Sequence, residues 1–118
     1  MSATGPREIV YVHYFATEVV EGTVYSFFAL DDYSTFVFSL GHSPELTTDS
    51  ILQPIKKLMK DKHFKSSPKK PFMLVLSVGK EVEDKIRSII TPYKGKVVFD
   101  AVIVADKTKH FISSFKNR

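Results

Sequence analysis

Phe72-Met73-Leu74-Val75-Leu76-Ser77-Val78 decides the fold. Such a near-continuous apolar run is expected of a central strand buried on both faces. Before it, Ile51, Ile55, Leu58 and Met59 fall at i, i+4, i+7 and i+8, one face of a helix expected from about residue 44 or 49 to residue 63. Pro54 should sit in the first turns of that helix or mark a kink. Residues 65–71 read as a polar, Lys-rich loop. After Gly79, Val82, Ile86, Ile89, Ile90 and Tyr93 share one face of a helix expected over residues 81–93. A further strand is expected over residues 97–105 and a last short helix over residues 107–115. Strands reached through helices run parallel to a neighbour.

The first third of the chain has a different pattern. Residues 8–20, 23–30 and 35–40 are rich in Val, Tyr and Phe, and the connections between them are short. Glu21-Gly22 and Asp31-Asp32-Tyr33-Ser34 supply turn chemistry. Strands joined this closely form an antiparallel meander, which residues 41–44 should end. The expected fold is α/β: a mixed five-stranded sheet in the order β-β-β-α-β-α-β-α, in one domain over residues 1–118, with residues 1–7 as a loose tail.

Composition fits one globular domain: 118 residues, 43% hydrophobic and 25% charged. The absence of Cys excludes a disulfide framework, a thiol nucleophile and a thiolate metal site. No apolar run approaches the roughly 18–20 residues of a membrane span, and residues 1–7 lack an export signal's apolar region. A cytosolic setting is expected. The net charge of +4 is unevenly spread. Residues 1–50 hold one base against seven acids, and residues 51–118 hold sixteen bases against six acids. The halves therefore carry −6 and +10, a reason to look for nucleic acid or an acidic partner.

Three segments resemble the catalytic cores of retroviral-type integrases and transposases, members of the ribonuclease H-like superfamily. Ile9-Val10-Tyr11-Val12-His13-Tyr14-Phe15 is similar to that family's first strand. Residues 25–38, with Asp31-Asp32-Tyr33-Ser34 at their centre, are similar to its Asp-Asp-Tyr-Ser-Arg turn. Residues 71–81 are similar to the strand that ends in Thr-Asp-Asn-Gly. The resemblance implies an Asp, Asp, Glu triad holding two magnesium or manganese ions for phosphoryl transfer. Here His13 stands at the first acidic position and Ser77 at the second. The third would fall near residues 112–114, which contain no carboxylate. What the resemblance implies is therefore a degenerate site with no catalytic residue, no metal and no cofactor.

Other residues invite chemistry less strongly. Asp31 and Asp32 read as turn residues rather than relocated metal ligands. His13 reads as a partly buried histidine with a hydrogen-bond partner rather than a general base. Ser77 lacks the surroundings of a nucleophile. Lys94-Gly95-Lys96-Val97-Val98-Phe99 matches an RNA-recognition strand only faintly. Lys56, Lys57, Lys60, Lys62, Lys65, Lys69 and Lys70 form the densest cationic run and are the candidate nucleic-acid contacts. With no Arg among them, binding would be directed at the backbone rather than at base edges. The expectation is a catalytically inactive, mobile-element-derived module that contacts DNA backbone or serves assembly. A protein–protein interaction module with no nucleic-acid role, such as a homodimer through the aromatic meander or a helix face, is the second reading, and a metal-dependent nuclease with rearranged carboxylates the third.

Overall fold

A computed structural model describes residue 5, residues 8–62, residue 64 and residues 71–116. Five strands, β1 (Ile9–Val19), β2 (Gly22–Asp31), β3 (Val37–Ser43), β4 (Phe72–Leu76) and β5 (Gly95–Phe99), form one sheet. Their order is β3-β2-β1-β4-β5. The pairs β1–β2 and β2–β3 are antiparallel, whereas β1–β4 and β4–β5 are parallel. Helix α1 (Thr48–Lys60) lies between β3 and β4 in the chain. Between β4 and β5 come a 3-10 turn (Lys80–Val82), α2 (Glu83–Ile90) and a second 3-10 turn (Thr91–Tyr93). Helix α3 (Ala101–Lys116) follows β5. This is the expected mixed α/β sheet and the expected element order.

The period of two along β1 builds two cores. Val10 and Val12 join Phe27, Ala29, Leu74 and Leu76 under Ile51, Ile55 and Leu58 of α1 and Ile86 and Ile90 of α2. Ile9 and Tyr11 point the other way and join Val75 under Val104 of α3. Phe111 of α3 extends this second face, its ring centroid 4.6 Å from that of Phe28. The buried faces of β1 and β4 explain why their central positions are almost wholly apolar.

Helix α1 starts at a capping box: Ser50 N–H donates to the Thr47 hydroxyl and Thr47 N–H to the Ser50 hydroxyl. It therefore begins at Thr48, within the expected range, and ends at Lys60. The helix stops three residues short of the expected residue 63, because Asp61 takes an extended backbone as its C-cap and donates its N–H to the Leu58 carbonyl; residues 65–70 of the expected loop lie outside the described residues, as do residues 1–4, 6 and 7 of the expected tail. Pro54 sits inside the helix without ending it, its ring in the buried face. That burial offsets the hydrogen bond the imino acid cannot make.

Three further expectations are corrected. β3 continues to Ser43 instead of stopping at Leu40, because Gly41 takes φ +112° and lets the ladder pass an irregularity opposite Phe27 and Phe28. The helix expected over residues 81–93 is a short α-helix between two 3-10 turns. The strand expected over residues 97–105 ends at Phe99, and α3 begins at Ala101, six residues before the expected start. The physical cause of the last correction is Asp100. Its Oδ1 accepts from Ile103 N–H at 3.0 Å and its carbonyl from Val104 N–H at 3.1 Å, which is N-cap geometry. The β-branched Val102, Ile103 and Val104 are thereby wound into a first turn, with Val102 left 80% exposed. Replacing Asp100→Ala should cost about 1 kcal/mol, read as a lowered urea midpoint with an unchanged slope.

Candidate functional site

The parallel register of β1 and β4 pairs Val12 with Leu76, so the next residue of each strand, His13 and Ser77, meets its counterpart where β4 ends. His13 Nδ1 and Ser77 Oγ share a hydrogen bond of 2.7 Å, across 64 positions of sequence. The imidazole is half-buried, tilted against the Tyr14 ring and edge-on to Phe28. Burial holds its pKa below the ordinary histidine value. At neutral pH the pair is an uncharged imidazole bonded to a hydroxyl.

That donor set does not suit a pair of hard divalent ions, which take carboxylate and carbonyl oxygen. Among the described residues no group of three or more His, Cys, Asp or Glu side chains could hold one metal ion. Ile112, the described side chain in the stretch where a third acid would be sought, is apolar and half-buried.

Asp31 and Asp32 stand beside the start of β1, whereas His13 lies near its middle. Asp31 pairs with Val10, while His13 pairs with Phe28, three positions further along. Asp31 is buried and accepts from the Ser34 hydroxyl at 2.6 Å; its backbone N–H and carbonyl close the turn with Phe36 and Thr35. Asp32 accepts from Tyr11 Oη at 3.1 Å and faces Lys107 Nζ at 3.7 Å. Burial first, then the Asp32 charge and hydrogen bond, push the Tyr11 phenol up to about 12. The two acids thus close a turn and tie α3 to β1.

Of the seven candidate lysines, Lys56, Lys57 and Lys60 share the exposed face of α1 with Gln53, opposite its buried Ile55, Leu58 and Met59. Lys62 is exposed just beyond the helix. Lys65, Lys69 and Lys70 lie outside the described residues.

Two features were not legible in the sequence. Ser26 Oγ and His42 Nδ1 lie 2.7 Å apart beside an open cleft of about 290 Å³ between β3 and α1. Only the β2–β3 register brings that pair together. A larger groove, about 430 Å³, opens beyond the ends of β4 and β5, with Ser77 on its wall.

A neutral His13 has a stated consequence for stability. Its folded pKa lies below the unfolded value of about 6.5, so the unfolded chain binds a proton first as pH falls. The stabilisation is full above about pH 6.5 and is lost as pH drops towards the folded pKa. The urea midpoint should fall between pH 7 and 5, and His13→Gln should flatten that decline.

No protein-family model matches the chain, and no curated protein matches it. Solved structures do. A chain of the simian T-cell lymphotropic virus intasome, determined with PP2A regulatory subunit B56 gamma, superposes with a TM-score of 0.73 at 10% identity. The match covers 97% of this chain but only 41% of that one. The HTLV-2 integrase catalytic core domain in complex with magnesium, in dimeric and trimeric forms, superposes with a TM-score of 0.67 at 13% identity. Those matches cover 95% of this chain and 71% and 70% of the others. At such identities the likeness is one of fold: the chain has the ribonuclease H-like fold of retroviral integrase catalytic cores.

Proposed function

We propose that this domain is a catalytically silent, integrase-like module that binds nucleic-acid backbone through the exposed face of α1. The observation that carries the binding is the cationic stripe Lys56, Lys57 and Lys60, continued by Lys62. Three ammonium groups at i, i+1 and i+4 fall within about 6 Å along the helix axis, a dense positive stripe to set against a strand that carries one phosphate per roughly 3.4 Å of duplex axis. Lys65, Lys69 and Lys70 extend the same charge in sequence. Ammonium groups without Arg forks favour phosphate over base edges, so recognition is independent of sequence.

Silence follows from the chemistry of His13 and Ser77. Phosphoryl transfer by a metal pair needs carboxylates to hold the cations and neither residue supplies one. Relocation of the site to Asp31 and Asp32 is disfavoured because both are occupied in the turn and in the tie to α3. A mobile-element origin and a cytoplasmic setting suit the fold and the cysteine-free composition.

Fluorescence anisotropy with a labelled duplex tests the binding. Log K should fall with log salt, and Lys56→Gln and Lys60→Gln should each reduce the slope by about 0.9. No binding at low salt, or a slope indifferent to both substitutions, sinks the proposal. Plasmid incubated with magnesium or manganese should stay supercoiled; nicking abolished by Asp31→Asn would establish the relocated site instead.

A further inference from the structure

Phe36 closes the turn from β2 to β3 and is 41% exposed. β3 is an outer strand of the sheet, so this ring stands at the sheet's margin. The backbone beneath it is tightly held. Asp31 N–H donates to the Phe36 carbonyl at 3.0 Å, and Thr35 N–H to the Asp31 carbonyl at 2.9 Å. The Ser34 hydroxyl donates to Asp31 Oδ2 at 2.6 Å and accepts from Phe36 N–H at 3.2 Å. These bonds keep the β-branched Thr35 at φ +59°, in the left-handed region such residues rarely adopt. A ring on so fixed a backbone has little freedom left to lose on binding.

The same ring adjoins the cationic run. Helix α1 runs back along β3: its first turns line the cleft with Leu40 and Ser43, and Phe64, just past its end, meets Phe38. The Phe64 and Phe38 rings lie 5.9 Å apart, and Phe38 and Phe36 meet edge-on at 4.8 Å. Phe64 follows Lys62 by two residues and Lys60 by four. Gln53 and Pro54 face the cleft, and Lys57 follows them one turn on, on the same flank of the helix. The ammonium groups therefore lead along the β3 side of α1 towards Phe36. The acids near this path are engaged, Asp31 within the turn and Asp61 as acceptor of Phe64 N–H at 3.2 Å.

Cations beside an exposed ring favour one form of nucleic acid. A duplex offers phosphates to the lysines but keeps its bases stacked on one another, and a ring reaches a base face there only by unstacking it. In a single strand each base has an open face, and stacking on an aromatic ring is indifferent to sequence. We infer that the domain prefers single-stranded nucleic acid, with phosphates along Lys57, Lys60 and Lys62 and a base stacked on Phe36. That preference rests on the proposed contact of α1 with the backbone and adds the class of strand to it. The ring reads a feature common to DNA and RNA.

Fluorescence anisotropy with labelled oligothymidylate, oligouridylate and a duplex of equal length tests it. At the same salt at least one single strand should bind about tenfold more tightly than the duplex. Phe36→Leu keeps an apolar contact with Phe38 but removes the flat π face. It should weaken the single strand about tenfold, leave the duplex within about twofold, and keep the urea midpoint near that of the unsubstituted chain. The chain has no Trp, so Phe36→Trp supplies its sole indole emission. The single strand should quench that emission and the duplex should not. Tighter binding of oligouridylate would assign RNA, and of oligothymidylate DNA, both within the inference. A duplex bound as tightly as either single strand, or a single strand indifferent to Phe36→Leu that leaves Phe36→Trp unquenched, overturns it while the lysine contact stands. No binding of any of the three probes at low salt overturns both.

Discussion

Everything in this domain depends on the parallel pairing of residues 9–12 with residues 73–76. These are the residues buried from both sides: Val10, Leu74 and Leu76 towards α1 and α2, Tyr11 and Val75 towards α3. Antiparallel hairpins form through local turns, but this pairing must be closed across some sixty intervening residues. Loop-closure entropy opposes it, and only burial on two faces offsets that cost. The register it imposes also fixes the candidate site. A slip of one residue would move His13 to the other face and separate it from Ser77.

Helix α3 is held on the second face by a different kind of contact. Val104 and Phe111 supply apolar surface, and Tyr11, Asp32 and Lys107 supply a polar tie beneath it. Tyr11 is fully buried, so its hydroxyl must find an acceptor, and Asp32 is the acceptor the turn provides. The same carboxylate is held by the half-exposed Lys107, a contact screened by solvent and worth little alone. The aspartates most suggestive of metal chemistry in the sequence are thus consumed by the architecture.

Most of the fold was legible because its signals are local. The run from Phe72 marks a two-face-buried strand, and Ile51, Ile55, Leu58 and Met59 mark a helical face. The end of β5 was not legible for a physical reason. Val97 to Ala105 is one β-branched, apolar stretch in which helix and strand patterns coincide, and only Asp100, as a cap, separates them. At the site, the meeting of His13 and Ser77 followed once the strands were matched to those of integrase-like cores. The Ser26–His42 pair and the groove beyond β4 and β5 depend on register and on where neighbouring strands stop. Those quantities arise from pairing and leave no mark in composition.

On the proposed reading, the His13–Ser77 pair also explains how such a fold can stand without a metal. Two carboxylates at adjoining strand ends would repel each other at a hydrogen-bonding distance unless a cation lay between them. Burial would sharpen that repulsion by weakening the solvent's screening. A neutral imidazole bonded to a hydroxyl satisfies both groups with no ion at all. On the proposed reading, exchanging acids for His and Ser removes the chemistry and, in the same step, makes the central β1–β4 pairing independent of metal. What the domain then offers is surface: the lysine stripe on α1, and the groove that the same pairing opens beyond the ends of β4 and β5.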